Sequence, residues 1–351
     1  MSTVPQWADS ISELQSVAIR AHGHCVNHPH TGHSGEGVKI GIIDSARSLT
    51  DSFENEYTIN RRYSALDNEE RAEDWTDDHG VRVFSILSAY SGGAQFYLYQ
   101  AVNENRQVPI EAYTDAIDEA ISDDIDLLNV SAGEAWRGPI DANAYVRQTK
   151  RAIRNDITVV AAAGNQKERS DDLPIHCPSA HENIISVGGL VAECPADPKP
   201  AKDTDPKTGP YYIFPDEDEE YLGTTDRPFC GYQECVNGDD CIEHRTEKVW
   251  EHNPIPTDGK PDALAPVLYP IGEISGRCKI NTGTSYAAPV VSGALGSIFG
   301  ELRANGHSLP APSIAREIVA KATTPIDTDS PAGKLNALDL RNRLFELPVQ
   351  T

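Results

Sequence analysis

The 351-residue sequence predicts an α/β fold, a three-layer sandwich around a central, mostly parallel sheet. Three observations point there. Short apolar runs rich in β-branched residues recur along the chain. Helical patterns separate them. The runs are continuous rather than alternating, as in strands buried on both faces between layers of helix. Ligand sites in such folds lie beyond the carboxyl ends of the strands.

The strands, in order, are "VKIGIID" (38–44), "FYLYQAV" (96–102), "IDLLNVS" (125–131), "ITVVAAA" (157–163) and "IISVGG" (184–189). Helical patterns occupy 80–90, 111–122 and 141–155, followed by a long run of small and apolar residues from Ser285 to Leu302. Two further helices are expected at 313–322 and 335–345. Residues 1–34 read as a leader with one amphipathic helix near 6–20, and 35–351 as one catalytic-sized domain. Residues 191–260, rich in Pro, Asp, Glu and Cys and containing "PDEDEE" (215–220), break the alternation and read as a long insertion.

The balance of 54 acidic against 30 basic residues gives a formal charge of −24. That speaks against a nucleic-acid backbone as partner, which needs a basic patch. It fits a strongly hydrated surface of the kind that keeps halophile proteins in solution. No apolar run reaches the length of a membrane span. The first 20 residues lack a basic n-region and an apolar h-region, which points to a cytoplasmic protein.

Four polar residues stand at element ends. Asp44 closes the first strand, His79 opens a helix, Asn165 follows the fourth strand, and Ser285 opens the long helix. Each alone has an ordinary explanation: a turn, a surface histidine, a Gly-Asn stop, a helix cap. Together they are the set that nucleophilic acyl transfer needs. A serine hydroxyl requires a base to take its proton, imidazole titrates near neutrality, and an aspartate orients and stabilises the imidazolium. An Asn side chain and a backbone N–H at a helix start can receive the oxyanion.

At these residues the chain resembles the subtilisin-like serine proteases. The resemblance rests on "GVKIGIIDS" around Asp44, "HG" at 79–80, "LLNVSAG" (127–133), "VVAAAGN" (159–165), "IISVGG" (184–189), "PDALAP" (261–266) and "GTSYAAPVVSGALG" (283–296). The chain order Asp, His, Ser is also that of this family. It implies a serine endopeptidase with Asp44, His79 and Ser285 as triad and Asn165 as oxyanion donor, with helix capping a minor second role for Ser285. It implies that Ser131, Ala132 and Gly133 pair with an extended protein or peptide substrate as an added strand, with Ala163 and Gly164 opposite. Glu134 follows the substrate-lining segment. A carboxylate there would favour a basic residue before the cut, but the simpler reading in so acidic a chain is that Glu134 faces solvent.

The chain departs from the family after His79, where "GVRVFS" replaces a smaller, more polar continuation. The segment before the next strand, "AYSGGAQ" (89–95), is too short for the calcium-binding loop that many members carry, so that site is expected to be absent. The chemistry itself requires no cofactor. A processing protease with the insertion as lid or exosite is one expectation. A partner-activated or catalytically silent regulatory protein is the alternative. Cys230, Cys235, Cys241 and His244 within the insertion could close a tetrahedral zinc site, pair as disulfides with Cys194 involved, or remain free thiols. "AHGHCVNHPHTGH" (21–33) holds five histidines and Cys25 in no ordered metal spacing.

Overall fold

The chain's architecture comes from a computed structural model that describes residues 26–28, 35–45, 56–66, 69–70, 79–103, 105–165, 173–193, 246–250, 253–274, 277–326 and 331–348. The leader helix at 6–20, the acidic run, Cys194, Cys230, Cys235, Cys241 and His244 lie outside the described residues.

In chain order the elements are β1 (Lys39–Asp44), β2 (Thr58–Ser64), β3 (Glu69–Glu70), α1 (His79–Tyr90), β4 (Gln95–Gln100), α2 (Ile110–Ser122) and β5 (Leu127–Val130). A short 3-10 turn (Ile140–Ala142) leads into α3 (Ala144–Arg154), then β6 (Thr158–Ala162), β7 (Ile185–Glu193), β8 (Thr246–Val249), β9 (Ala263–Pro266), β10 (Leu268–Ile274) and β11 (Arg277–Thr282). The chain continues with α4 (Thr284–Ala304), α5 (Pro312–Lys321), β12 (Thr323–Thr324), β13 (Lys334–Leu335) and α6 (Ala337–Phe345).

The main sheet runs β12-β13-β9-β7-β6-β5-β1-β4-β2-β3. Its centre is parallel: β1 lies between β4 and β5, with Ile40 opposite Phe96 on one side and Leu127 on the other. The antiparallel pairs are β3 on β2, β12 on β13, and β8 on the far half of β7. β10 and β11 form a separate hairpin.

Side-chain alternation in the strands builds two cores from one sheet. Ile40, Ile42, Leu127 and Val160 pack on one face with α1, α4, α5 and α6. Ile43, Leu128, Val130, Val159 and Ala161 pack on the other with α2 and α3. This explains why these strands read as unbroken apolar runs. α4 lies deepest, with nearly every residue from Thr284 to Leu302 buried. Its small residues permit the approach: a Cβ on Gly296 would sit 2.6 Å from the Ile40 side chain.

Packed chain flanks both expected boundaries. Val26 is fully buried in the main core, and the start of α6 donates to the leader through Ala337 N to Val26 O (2.7 Å) and Leu338 N to Asn27 O (3.1 Å). The ends of the 191–260 segment also belong to the sheet: β7 runs on to Glu193 and β8 returns antiparallel, pairing Leu190 with Val249 and Glu193 with Thr246.

Candidate active site

Asp44 ends β1 where the central parallel strands deliver their carboxyl termini. Its side chain is 1% exposed, so its charge needs partners inside the protein. Oδ1 accepts from the Ser45 backbone N–H (2.6 Å) and from His79 Nδ1 (2.8 Å). Oδ2 is buried with no hydrogen-bond partner among the described residues. Ser45 then secures the next element, its Oγ accepting from Gly80 N at the first turn of α1 (2.8 Å). The strand end and the helix start that carry Asp44 and His79 are thus tied directly.

His79 Nε2 lies 2.9 Å from Ser285 Oγ. With Nδ1–H donated to Asp44, Nε2 is left with its lone pair facing the serine hydroxyl. Three residues, with 35 positions between the first two and 206 between the second and third, form one hydrogen-bonded line.

Ser285 is the second residue of α4 and does not cap it. The N-cap position is Gly283 and no side chain bonds there from within the cap, so the minor capping role expected for Ser285 falls away. Asn165 does that work instead: its Oδ1 accepts from Thr284 N (3.0 Å). This holds the amide so that its Nδ2 faces Gly283 and Ser285; a Cβ on Gly283 would lie 3.3 Å from that nitrogen and 3.1 Å from Ser285 Oγ. Thr284 Oγ1 accepts from Gly164 N (3.1 Å) and ties the "AAGN" segment to the serine helix.

Pro289 lies inside α4, four residues after Ser285. It has no N–H, so the Ser285 carbonyl loses its helical donor. Ser131 Oγ supplies the replacement at 3.1 Å, itself held by Asn129 Nδ2 (2.9 Å), whose Oδ1 accepts from Ser292 (2.8 Å). Ser131 was expected only as substrate-facing backbone. Its side chain also fixes the serine, and Pro289 was the signal in the sequence that could have found it.

These residues open on a cleft of about 740 Å³. Two segments wall one end of it, 131–134 and 162–165. A third segment closes that end: Glu134 N donates to Cys177 O (3.0 Å), Cys177 N to Glu134 O (2.8 Å) and His176 N to Ala163 O (2.8 Å). Gly133 and Gly164 have no room for a side chain. A Cβ would fall 2.5 Å from Cys177 O in the first case and 2.3 Å from the His176 ring in the second, where φ is also +104°. His176, missed in the sequence, lines this end with a buried Nε2 that has no partner among the described residues. Burial holds its pKa below the ordinary imidazole value. Burial also pushes the Cys177 thiol up to about 12, with the Glu134 carboxylate adding to the shift, so this cysteine stays a neutral packing group.

Glu134 does not simply face solvent. Its carboxylate lines the cleft, half-buried, and accepts from Asn143 Nδ2 (2.8 Å). That corrects the simpler expectation, and the cause is Asn143, the buried cap of α3, which reaches back to it.

No group of three or more His, Cys, Asp or Glu side chains suited to a metal occurs among the described residues. No helix among them is long and apolar enough to cross a membrane. Residues 91–94 join α1 to β4 as a tight turn, Ala94 N donating to Ser91 O (2.9 Å).

Comparisons with known proteins agree with this geometry. The model of the subtilase family matches residues 35–337. The minor extracellular protease Epr of Bacillus subtilis (strain 168) is 27% identical over 165 residues, covering 44% of this chain and 24% of that protein. The chain therefore spans about a quarter of that relative's length. Among solved structures, a lanthipeptide protease aligns with a TM-score of 0.61 at 16% identity over 98% of this chain and 99% of that one. The self-cleaved protease domain of PatA gives 0.59 at 17% identity over 89% and 98%. Both likenesses show the α/β fold.

Proposed function

The chain belongs to the subtilase family, and from that premise we propose that it is a serine endopeptidase whose nucleophile is Ser285, general base His79, orienting carboxylate Asp44 and oxyanion donor Asn165. The observation that carries the reading is the unbroken line from Asp44 through His79 to Ser285, at 2.8 and 2.9 Å.

In this mechanism Ser285 Oγ attacks the scissile carbonyl carbon as its proton passes to His79 Nε2. The buried Asp44 carboxylate stabilises the imidazolium. Asn165 Nδ2 and the Ser285 backbone N–H donate to the tetrahedral oxyanion at the positive end of α4. The imidazolium then protonates the leaving amine; water, deprotonated by His79, adds to the acyl carbonyl, and the Ser285 Oγ–acyl bond breaks as the proton returns to Oγ and the carboxylic acid leaves. All of these groups are the chain's own.

The substrate is an extended peptide lying along 131–133 as an added strand, its side chain before the cut entering the end of the cleft closed by Glu134 and His176. A basic side chain fits there. Glu134 offers a positioned carboxylate, and His176, its pKa lowered by burial, lines the same end with an Nε2 that has no partner among the described residues. The function is a processing protease of narrow specificity, a reading supported by the fold it shares with the prenylagaramide maturation protease PagA and the patellamide maturation protease PatA.

The test is labelling with a fluorophosphonate, read by intact mass. One adduct is expected on the wild-type chain and none on Ser285→Ala. A well-folded wild-type protein that takes no adduct would overturn the proposal.

A further inference from the structure

The continuation after His79, "GVRVFS", is bulkier than expected for the first turns of such a helix. The structure accounts for its serine. Ser85 lies on α1 six residues beyond His79, and its Oγ donates to Arg82 O (2.8 Å). That uses its single proton, so the second contact, 2.6 Å to Tyr269 Oη, has the tyrosine hydroxyl as donor.

Tyr269, in β10, stacks on Tyr286 with centroids 5.7 Å apart and planes 21° off parallel. Tyr286 follows Ser285 in α4 and meets the His79 ring at 5.4 Å. Both tyrosines are buried, at 2% and 1% exposure. The contacts close a ring: α1 carries His79, His79 meets Tyr286, Tyr286 stacks on Tyr269, and Tyr269 bonds back to α1 through Ser85. The helix bearing the base and the helix bearing the nucleophile are joined by a path separate from the His79–Ser285 hydrogen bond.

Resting on the reading of His79 as general base, we infer that Tyr286, held by Tyr269 and Ser85, is a positioning residue that fixes the His79 imidazole and favours its charged form. Two effects follow from the geometry. The ring contact restricts rotation of the imidazole away from Ser285, which keeps reacting groups at productive distance. An aromatic ring within about 6 Å also attracts a cation, and the attraction grows when water is excluded. The ring is neutral before attack and cationic afterwards, so the contact strengthens as the reaction proceeds. Asp44 from β1 and Ser285 from α4 also face His79. Arg82, Arg106, Glu134 and His176 line the same cleft and are left intact by the substitutions below.

The experiment uses the full chain. Fluorophosphonate labelling rates are measured from about pH 5 to about pH 9, with kcat and KM on a peptide substrate, for wild type, Tyr286→Leu, Tyr286→Phe, Tyr269→Phe and Ser85→Ala. Tyr286→Leu is expected to lower kcat and the labelling rate about tenfold, to leave KM within about twofold, and to move the acidic limb down by about half a pH unit. Tyr286→Phe keeps the ring and is expected to restore both. Tyr269→Phe and Ser85→Ala each lose about threefold, and the double variant loses no more than either, because they break one bond. A folded Tyr286→Leu protein with the wild-type rate and limb overturns the inference. So does a rate loss that tracks thermal stability with no movement of the limb. Should Tyr286→Leu not fold, a wild-type rate in both Tyr269→Phe and Ser85→Ala overturns it. Failure of the wild-type chain to label is a different result, since it removes the proposed function itself.

Discussion

Asn165→Asp separates the task that one amide is seen to perform from the one proposed for it. Oδ1 of Asn165 accepts from Thr284 N at 3.0 Å and so supports the first turn of α4, while Nδ2 faces the serine. Aspartate keeps an acceptor for Thr284 N and loses the donor. Its negative charge is tolerated by the positive end of the helix in the resting protein but opposes an oxyanion beside it. Loss of one preorganised donor costs about 2.7–4 kcal/mol in the transition state, or roughly a hundredfold to a thousandfold in kcat, and the added charge deepens the loss. Asn165→Ala removes the acceptor as well, so it carries a further stability cost of about 1 kcal/mol through the unsupported helix start. The assay is kcat and KM on a peptide substrate beside urea midpoints for both variants. Asn165→Asp is expected to fold with wild-type stability and to fail in kcat with KM little changed. A kcat within about threefold of wild type would show that Asn165 only supports α4.

Glu134→Gln keeps the hydrogen bond from Asn143 Nδ2 but removes the charge, so kcat/KM for peptides with Lys or Arg before the cut should fall about tenfold while neutral residues are unaffected; equal losses for both would remove Glu134 from specificity. Lys260 is 2% exposed, bonds Asp262 Oδ2 at 2.5 Å, and burial brings its pKa down to about 8. Lys260→Met leaves Asp262 with Ser186 N and Arg316 only, and should cost about 3 kcal/mol in a urea titration; a loss below about 1 kcal/mol would mean that those two partners suffice. His176 and His181 both have pKa values lowered by burial, from an ordinary 6.5. Between each folded-state value and 6.5 the unfolded chain holds the extra proton, so stability declines as pH falls through that window. His176→Gln should flatten the decline between about pH 7 and about pH 5, and an unchanged slope would mean that burial of this ring does not oppose its protonation.

The central strands were readable because both of their faces are buried, so "GIID", "LLNV" and "TVVAA" carry no alternation to confuse them. β2 was not readable. Its "TINRRYS" is polar because it lies near the sheet edge, and Arg61 spends its charge on Glu119 (2.5 Å) and Asp123 (2.8 Å) of α2. The β10–β11 hairpin hid behind Pro270 and Gly272, where its register shifts. Asp44, His79, Asn165 and Ser285 were legible because each stands at an element end, where chain order and residue type speak without tertiary knowledge. The side-chain roles of Ser131 and His176 were not, since each is defined by contacts that only the folded sheet brings together: Ser131 lies 154 positions from the carbonyl it holds.

The position of α4 bears on how the chain is made. The face of the sheet built on α2 and α3 can close with residues emerged only to about 184, since Ile184 is the last of its buried members. The opposite face waits for α4, whose residues reach Ala304. During synthesis this face therefore has only α1 over it for more than a hundred residues, and the part that α4 covers, Ile40 included, stays open to water. That interval is the chain's most aggregation-prone. On the proposed reading of the site the same timing delays activity: the helix that covers this face also brings Ser285 to His79, so the triad is not assembled before α4 has emerged.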